Sequence, residues 1–156
     1  MVKLDLEERD FKILSRLRRD SRENLTKMSR LTKIPVSTLH DRIKKYQGEL
    51  ITKHTVILDF KKMGYDLKVT VLLKASPERK QALEKYLKGS ERVNSLFRIN
   101  NGYDFMAEVL FQDMKEFREF TDTMSGFGVA TLQEFFVLED LKREGFMTSD
   151  ILLGAK

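Results

Sequence analysis

RENLTKMSRLTKIPVSTLHDRIKKYQGELI, from Arg22 to Ile51, decides how the chain is read. Asn24 is a good N-cap residue, and Leu25, Met28 and Leu31 behind it are spaced to be buried on a short helix. Thr32-Lys33-Ile34-Pro35 reads as a turn. Pro35 suits the first positions of a new helix, where its missing N–H costs little. A further helix follows, from about Pro35 to Gln47, with Leu39, Ile43 and Tyr46 toward a core and Val36 at the edge. Its remaining positions are Ser37, Thr38, His40, Asp41, Arg42, Lys44 and Lys45. Hydroxyls near a helix start bond phosphates or base edges, His40 and Asp41 reach bases, and Arg42, Lys44 and Lys45 suit phosphate or guanine. Two short helices joined by a tight turn, the second polar on one face, have the shape of a helix-turn-helix. The alternative is an ordinary amphipathic helix with a solvated face.

Upstream, Asp5 and Glu8 have capping-box spacing. Leu6, Ile13, Leu14 and Leu17 mark one helical face, and Arg16, Arg18, Arg19 and Arg22 gather near that helix's end, where cations complement its dipole. The charge is divided along the chain. Residues 1–52 hold 13 Lys+Arg against 8 Asp+Glu, whereas residues 53–156 hold 16 of each. All of the net +5 therefore belongs to the first third, which points to a polyanionic partner for that module or, more plainly, to a solvated basic surface.

Downstream of Ile51 the period of the pattern changes. Thr55-Val-Ile-Leu-Asp59 is β-like, and Lys61 to Tyr65 is a turn. Leu67, Val69, Val71 and Leu73 alternate as on a half-buried strand. A helix from Ser76-Pro77 runs through Leu83 and Leu87 to Gly89, a C-terminal cap. Val93, Ser95, Phe97 and Ile99 alternate, Asn100-Asn101-Gly102 signals a turn, and Tyr103, Phe105, Ala107, Val109 and Phe111 alternate again. Asp113 and Glu116 open a helix that buries Phe117, Phe120 and Met124, and Val129 to Leu138 is a last strand. The order predicts an α+β chain: a helix-turn-helix domain, then a ferredoxin-like β-α-β-β-α-β domain with an antiparallel four-stranded sheet and helices on one face. Depending on register, Leu72, Leu96, Met106, Leu110, Leu132, Phe136 and Leu138 fall on the sheet's other face. A second apolar face needs a cover, either another copy of the chain or the tail Asp140–Lys156 with Phe146, Met147, Ile151, Leu152 and Leu153.

Several classes are argued against. There is no cysteine, so disulfides, thiolate nucleophiles and thiolate metal sites are excluded. The two histidines, His40 and His54, have no cluster around them, so no metal or cofactor is expected. No apolar run is long enough to span a membrane and no secretory core opens the chain, which makes a cytoplasmic location the expectation. Charge richness, few loops and no cysteine suit a thermophile.

Taken in order, Asp10-x-x-Ile13-Leu14-x-x-Leu17, Arg22, Ser37 to Lys45, Leu58 to Tyr65, Gly102-Tyr103-Asp104 and Gly128-Val129 resemble the Lrp/AsnC, or feast/famine, family of prokaryotic transcription regulators, and an archaeal member in particular. The resemblance covers about Leu4 to Leu138. It implies a winged-helix-like DNA-binding domain over residues 1–52, a hinge strand over 53–64, an effector-sensing and oligomerising domain over 65–139 and a tail over 140–156. It implies double-stranded DNA with a roughly palindromic operator as partner, dimers that assemble further, up to octamers, and an amino-acid effector held by Asn101, Gly102, Tyr103 and Asp104. In that role Asp104 takes an amino group and backbone N–H groups around Gly102 take a carboxylate. The plainer reading is a hairpin turn stabilised by Asp104.

The chain also departs from the family pattern. Lys33 stands where glycine is usual in the turn, Pro35 replaces a serine cap, Glu49-Leu50-Ile51 replaces Gly-Val-Ile, and the carboxylate before Tyr103-Asp104 is missing. Two other functions fit the same architecture. A sirohaem-decarboxylase-like enzyme would need histidines that residues 64–156 lack, and a ligand binder with no DNA reading would leave the basic helix unexplained.

Overall fold

The computed structural model describes residues 5–149 and divides the chain into two compact units. One takes in the chain up to Val56 and again from Leu141; the other is Ile57–Asp140.

The first unit, here called the reader, is built on α1 (Glu8–Arg19), α2 (Leu25–Thr32) and α3 (Val36–Tyr46). Ile13, Met28 and Leu39, one from each helix, are fully buried together with Leu14, Ile34 and Tyr46. The N-terminal cap is shifted from the expected Asp5–Glu8 to Glu7–Asp10, where the Asp10 carboxylate accepts the Glu7 N–H at 2.8 Å. That shift leaves Leu6 just outside the helix and packed on the core. Asn24 caps α2 as its side chain predicts, accepting the Thr26 N–H at 2.8 Å. Leu31 departs from expectation and is 55% exposed, because α2 ends at Thr32 and Ile34, two residues on, fills the core instead. Lys33 takes the left-handed backbone that favours glycine, with φ 61°. A non-glycine residue in that conformation carries about 1 kcal/mol of strain.

The second unit is a four-stranded antiparallel sheet of β1 (Leu67–Ala75), β2 (Val93–Arg98), β3 (Phe105–Phe111) and β4 (Val129–Phe136) in the order β2-β3-β1-β4. It carries α4 (Lys80–Gly89) and α5 (Met114–Gly126). The two central strands supply Val69, Val71, Leu73, Phe105, Ala107, Val109 and Phe111 to a core closed by Leu83, Leu87, Phe117, Phe120 and Met124. Phe111 meets Phe117 edge-on at 5.5 Å, a favourable aromatic geometry. Asp113 caps α5 by accepting the Lys115 and Glu116 N–H groups. Gly128 accepts the Ser76 N–H on its carbonyl at a φ of +64°, where a Cβ would come within 3.2 Å of the Ser76 hydroxyl.

The expected outer face of the sheet needs correcting. Residues directly opposite each other on neighbouring strands share a face. Leu132 lies opposite Leu73 and Phe136 opposite Val69, so both belong to the helix side, and a register shift between Val93 and Ser95 places Leu96 opposite Ala107 there too. Leu138 lies past the strand's end and is 85% exposed. Leu72, Met106 and Leu110 do occupy the outer face, with Phe97 and Phe135, among Lys68, Thr70, Glu108 and Gln133. The face is mixed rather than uniformly apolar. The β-like run Thr55–Asp59 is not a strand, because no other backbone among the described residues pairs with it. Among the described residues the tail does not cover the sheet: Met147 packs on the reader's core and Phe146 is exposed. Ile151, Leu152 and Leu153 lie outside the described residues.

Candidate nucleic-acid interface and effector loop

The helix α3 turns one face to the reader's core and the other to solvent. Leu39, Ile43 and Tyr46 hold the inner face, spaced as successive turns of one helix require. Ser37, His40, Asp41, Lys44 and Lys45 are exposed and Thr38 is half-buried. Ser37, Thr38, Lys44 and Lys45 make no side-chain hydrogen bond or ion pair within the described residues; His40 and Asp41 face each other at 3.3 Å. Pro35, the N-cap, brings no side-chain cap, and nothing among the described residues accepts from the first-turn N–H groups of α3 beside Ser37 and Thr38. Arg22 is exposed in the α1–α2 connection.

Arg42 departs from the expected set. Its guanidinium turns inward to the Asp10 carboxylate and lies 3.4 Å from Glu7. Asp10, 2% exposed, also accepts the Tyr46 hydroxyl and the Glu7 N–H. Burial by itself raises the Asp10 pKa, but the Tyr46 hydroxyl, the Glu7 N–H and the Arg42 guanidinium outweigh it and hold the carboxyl below its ordinary range. Burial and the same carboxylate push the Tyr46 phenol up. Arg42 is thus the clasp between α3 and α1, and sequence spacing gave no sign of it because Asp10 lies 32 residues away. A second clasp, Arg16 to the nearly buried Glu23, holds the end of α1 to the start of α2.

The loop Asn101–Asp104 joins β2 to β3. Asn101 and Gly102 both have positive φ, 64° and 91°, as a tight hairpin turn requires. Tyr103 donates its hydroxyl to Gln133 at 2.9 Å. The Asp104 carboxylate accepts the Ala75 N–H at 3.0 Å and the Lys80 ammonium, and its own N–H goes to Leu73. Lys80 first, and then the Ala75 N–H, hold the Asp104 carboxyl below its ordinary range against the effect of burial. The structure therefore brings the four residues together but commits Tyr103 and Asp104 to contacts that fasten β1, α4 and β4 around the turn.

At the opposite end of β3 lies an open cleft of about 640 Å³, lined by Phe60, Met63, Tyr65, Tyr86, Arg92 and Glu116 among others. Arg92 and Glu116 pair across it with a second N···O contact of 2.9 Å, and the Arg92 guanidinium sits 5.6 Å from the Phe111 ring centre. Arg92 and Glu116 neutralise one another, and Glu91 is a further carboxylate on the lining. Its residues come from five separate stretches of chain, so no local spacing announces it. Among the described residues no group of His, Asp or Glu could hold a metal ion, and no helix is long and apolar enough to cross a membrane.

The Lrp/AsnC ligand-binding domain family matches residues 68–146, half of the chain, and the winged helix-turn-helix DNA-binding family matches residues 6–47. The chain is 27% identical over 143 residues to an uncharacterized HTH-type transcriptional regulator of Pyrococcus horikoshii, covering 90% of this chain and 97% of that one. It is 25% identical over 143 residues to the HTH-type transcriptional regulator FL11 of Pyrococcus abyssi, covering 90% and 95%. Its fold is similar to that of a Neisseria meningitidis transcriptional regulator solved with L-methionine, with TM-score 0.82, 21% identity and coverage of 89% and 94%. It is also similar to Escherichia coli AsnC, with TM-score 0.78, 16% identity and coverage of 90% and 97%. A winged helix-turn-helix DNA-binding domain followed by an Lrp/AsnC ligand-binding domain, in the order the two units take along the chain, places this protein in the Lrp/AsnC family of transcriptional regulators.

Proposed function

We propose that the protein reads a roughly palindromic operator as a homodimer. Ser37, Thr38, His40, Asp41, Lys44 and Lys45 carry base and phosphate contacts, Arg22 adds a phosphate contact, and Arg42 fixes the angle of α3. One observation carries this reading: on the outward face of α3, Ser37, Thr38, Lys44 and Lys45 bond nothing among the described residues, and His40 and Asp41 face only each other. Unpaired hydroxyls and ammonium groups beside open helix N–H groups suit phosphates and base edges. The homodimer rests on Val56, Ile57 and Leu58, which are 62%, 59% and 44% exposed on a segment without backbone partners among the described residues. A second copy is the economical cover for such a run, and higher assembly through the sheet's outer face follows the same logic. Two readers then meet two half-sites of one operator.

The proposed effector is a free amino acid at Asn101–Asp104. The L-methionine bound to the Neisseria meningitidis regulator supports the ligand class. Here Lys80 already neutralises Asp104, so the ligand's ammonium competes with Lys80 for that carboxylate while its own carboxylate meets Lys80 and the turn's N–H groups. The functional site is a binding site without catalytic residues, in a cytoplasmic protein.

Fluorescence anisotropy on a random duplex and on a selected operator, each with and without a panel of L-amino acids, tests both readings. The expected result is steeply salt-dependent binding that one amino acid shifts, with the shift lost in Asp104→Ala. Salt-independent binding refutes the reading by α3. A ligand response that survives Asp104→Ala refutes the loop.

A further inference from the structure

The chain leaves the reader at Val56 and returns to it at Leu141. Its two crossings are unlike. Residues 52–59 are all exposed and form no regular element. The second crossing is fastened at both ends. On the sheet side, the Val137 N–H donates to the Lys68 carbonyl at 2.8 Å, and the Lys68 ammonium lies 2.6 Å from the Asp140 carboxylate and 3.2 Å from Glu108. The Lys68 side chain is only 11% exposed, while that of Asp140 is 42% exposed. On the reader side, Arg18 donates to the carbonyls of Phe146 and Glu144 at 3.2 and 3.1 Å and pairs with the Glu144 carboxylate at 2.9 Å. Arg19 donates twice to the Thr148 carbonyl, at 3.1 and 2.7 Å, and Met147 packs on the reader's core. Glu144 and Met147 both hold positive φ, 50° and 58°. Non-glycine residues stay in that conformation only where their surroundings fix it. Between the anchor at Asp140 and the anchor at Glu144 lie three residues, 141–143.

We propose that residues 140–148 are a coupling strap: a short second link through which the sheet unit limits how freely the reader moves to meet a half-site. The anchors use Arg18 and Arg19, which sequence reading assigns only to the helix dipole, and a segment it assigns to a tail. A cap on the reader alone would need the contacts at Arg18, Arg19 and Met147 but no fixed length back to Lys68. A strap needs both anchors and a short span between them.

The test lengthens the span and leaves every anchor in place: six Gly/Ser residues inserted between Leu141 and Lys142. The chain has no cysteine, so spin labels at Ser21→Cys and Gln81→Cys report one distance between the units. Labelled chain diluted in unlabelled chain keeps the reading within one molecule. The expected result is a distance distribution at least about twice as wide in the insertion variant, with operator affinity lowered about tenfold and random-duplex affinity unchanged. Equal widths overturn the strap, as does an insertion variant with full operator affinity. The second readout rests on operator reading by the parent chain. If the parent has no operator preference, that reading fails, and the label distances still decide the strap.

Discussion

The outward face of α3 and the hairpin loop Asn101–Asp104 carry similar side chains and use them in opposite ways. On α3, Ser37, Thr38, Lys44 and Lys45 have no partner among the described residues. In the loop, Tyr103 is bonded to Gln133, and Asp104 to Lys80 and the Ala75 N–H. A polar group already satisfied by the fold contributes to stability, and a ligand must displace its partner to use it. A polar group left in solvent costs the fold nothing and is ready to bond a second molecule. Arg42 makes the same point within one helix: it lies between His40 and Lys44 in sequence, yet its charge belongs to Asp10.

The contrast breaks most visibly at Arg42. Arg42→Ala leaves the Asp10 carboxylate buried against Tyr46 without its cation, so the reader should lose about 3 kcal/mol in urea denaturation. Lost DNA affinity at unchanged stability would return Arg42 to the outward row. Next in size, Lys44→Ala with Lys45→Ala should weaken all DNA about tenfold and lower the salt slope by about two, with the melting temperature unchanged. Smaller again, Asp104→Asn should cost the sheet unit about 1 kcal/mol, because the Ala75 N–H keeps an acceptor while Lys80 loses its ion pair.

The pH dependence follows from the direction of the shifts. Asp10 and Asp104 are both held below their ordinary carboxylate pKa when folded. The stability they contribute is complete above the unfolded value, about 4, and is lost as pH falls through the lower folded value. Acid unfolding of Asp10→Asn should therefore be shallower than that of the parent below about pH 4. An acid limb unchanged by that substitution would remove Asp10 from the account. Smallest of all, Lys33→Gly should raise reader stability by about 0.5 kcal/mol, the relief of a positive φ being partly offset by a more flexible unfolded chain.

Elements set by local rules were legible in the sequence. Asn24 and Asp113 cap the helices they were expected to cap, the alternation in β1 and β3 fixed which residues form the sheet's core, and the split of charge singled out the reader. What depends on partners far along the chain was not legible. Arg42 meets Asp10 across 32 residues, and Arg18 meets the carbonyls of Glu144 and Phe146 across 126 and 128. Register was half legible: alternation cannot reveal the shift near Ser95 that turns Leu96 inward. The run Thr55–Asp59 has the composition of a strand, but no backbone among the described residues pairs with it. The outward row of α3 was readable because an amphipathic helix sorts its own side chains, and Arg42 alone escaped that sorting by having a buried carboxylate to reach.

Selection of bound duplexes from a random pool decides whether α3 reads DNA sequence as a symmetric pair. The expected result is a roughly palindromic consensus, and a changed consensus at symmetric positions when Ser37→Ala or His40→Ala is used as bait. A pool that stays random after repeated rounds, while the protein still binds duplex DNA, would contradict it.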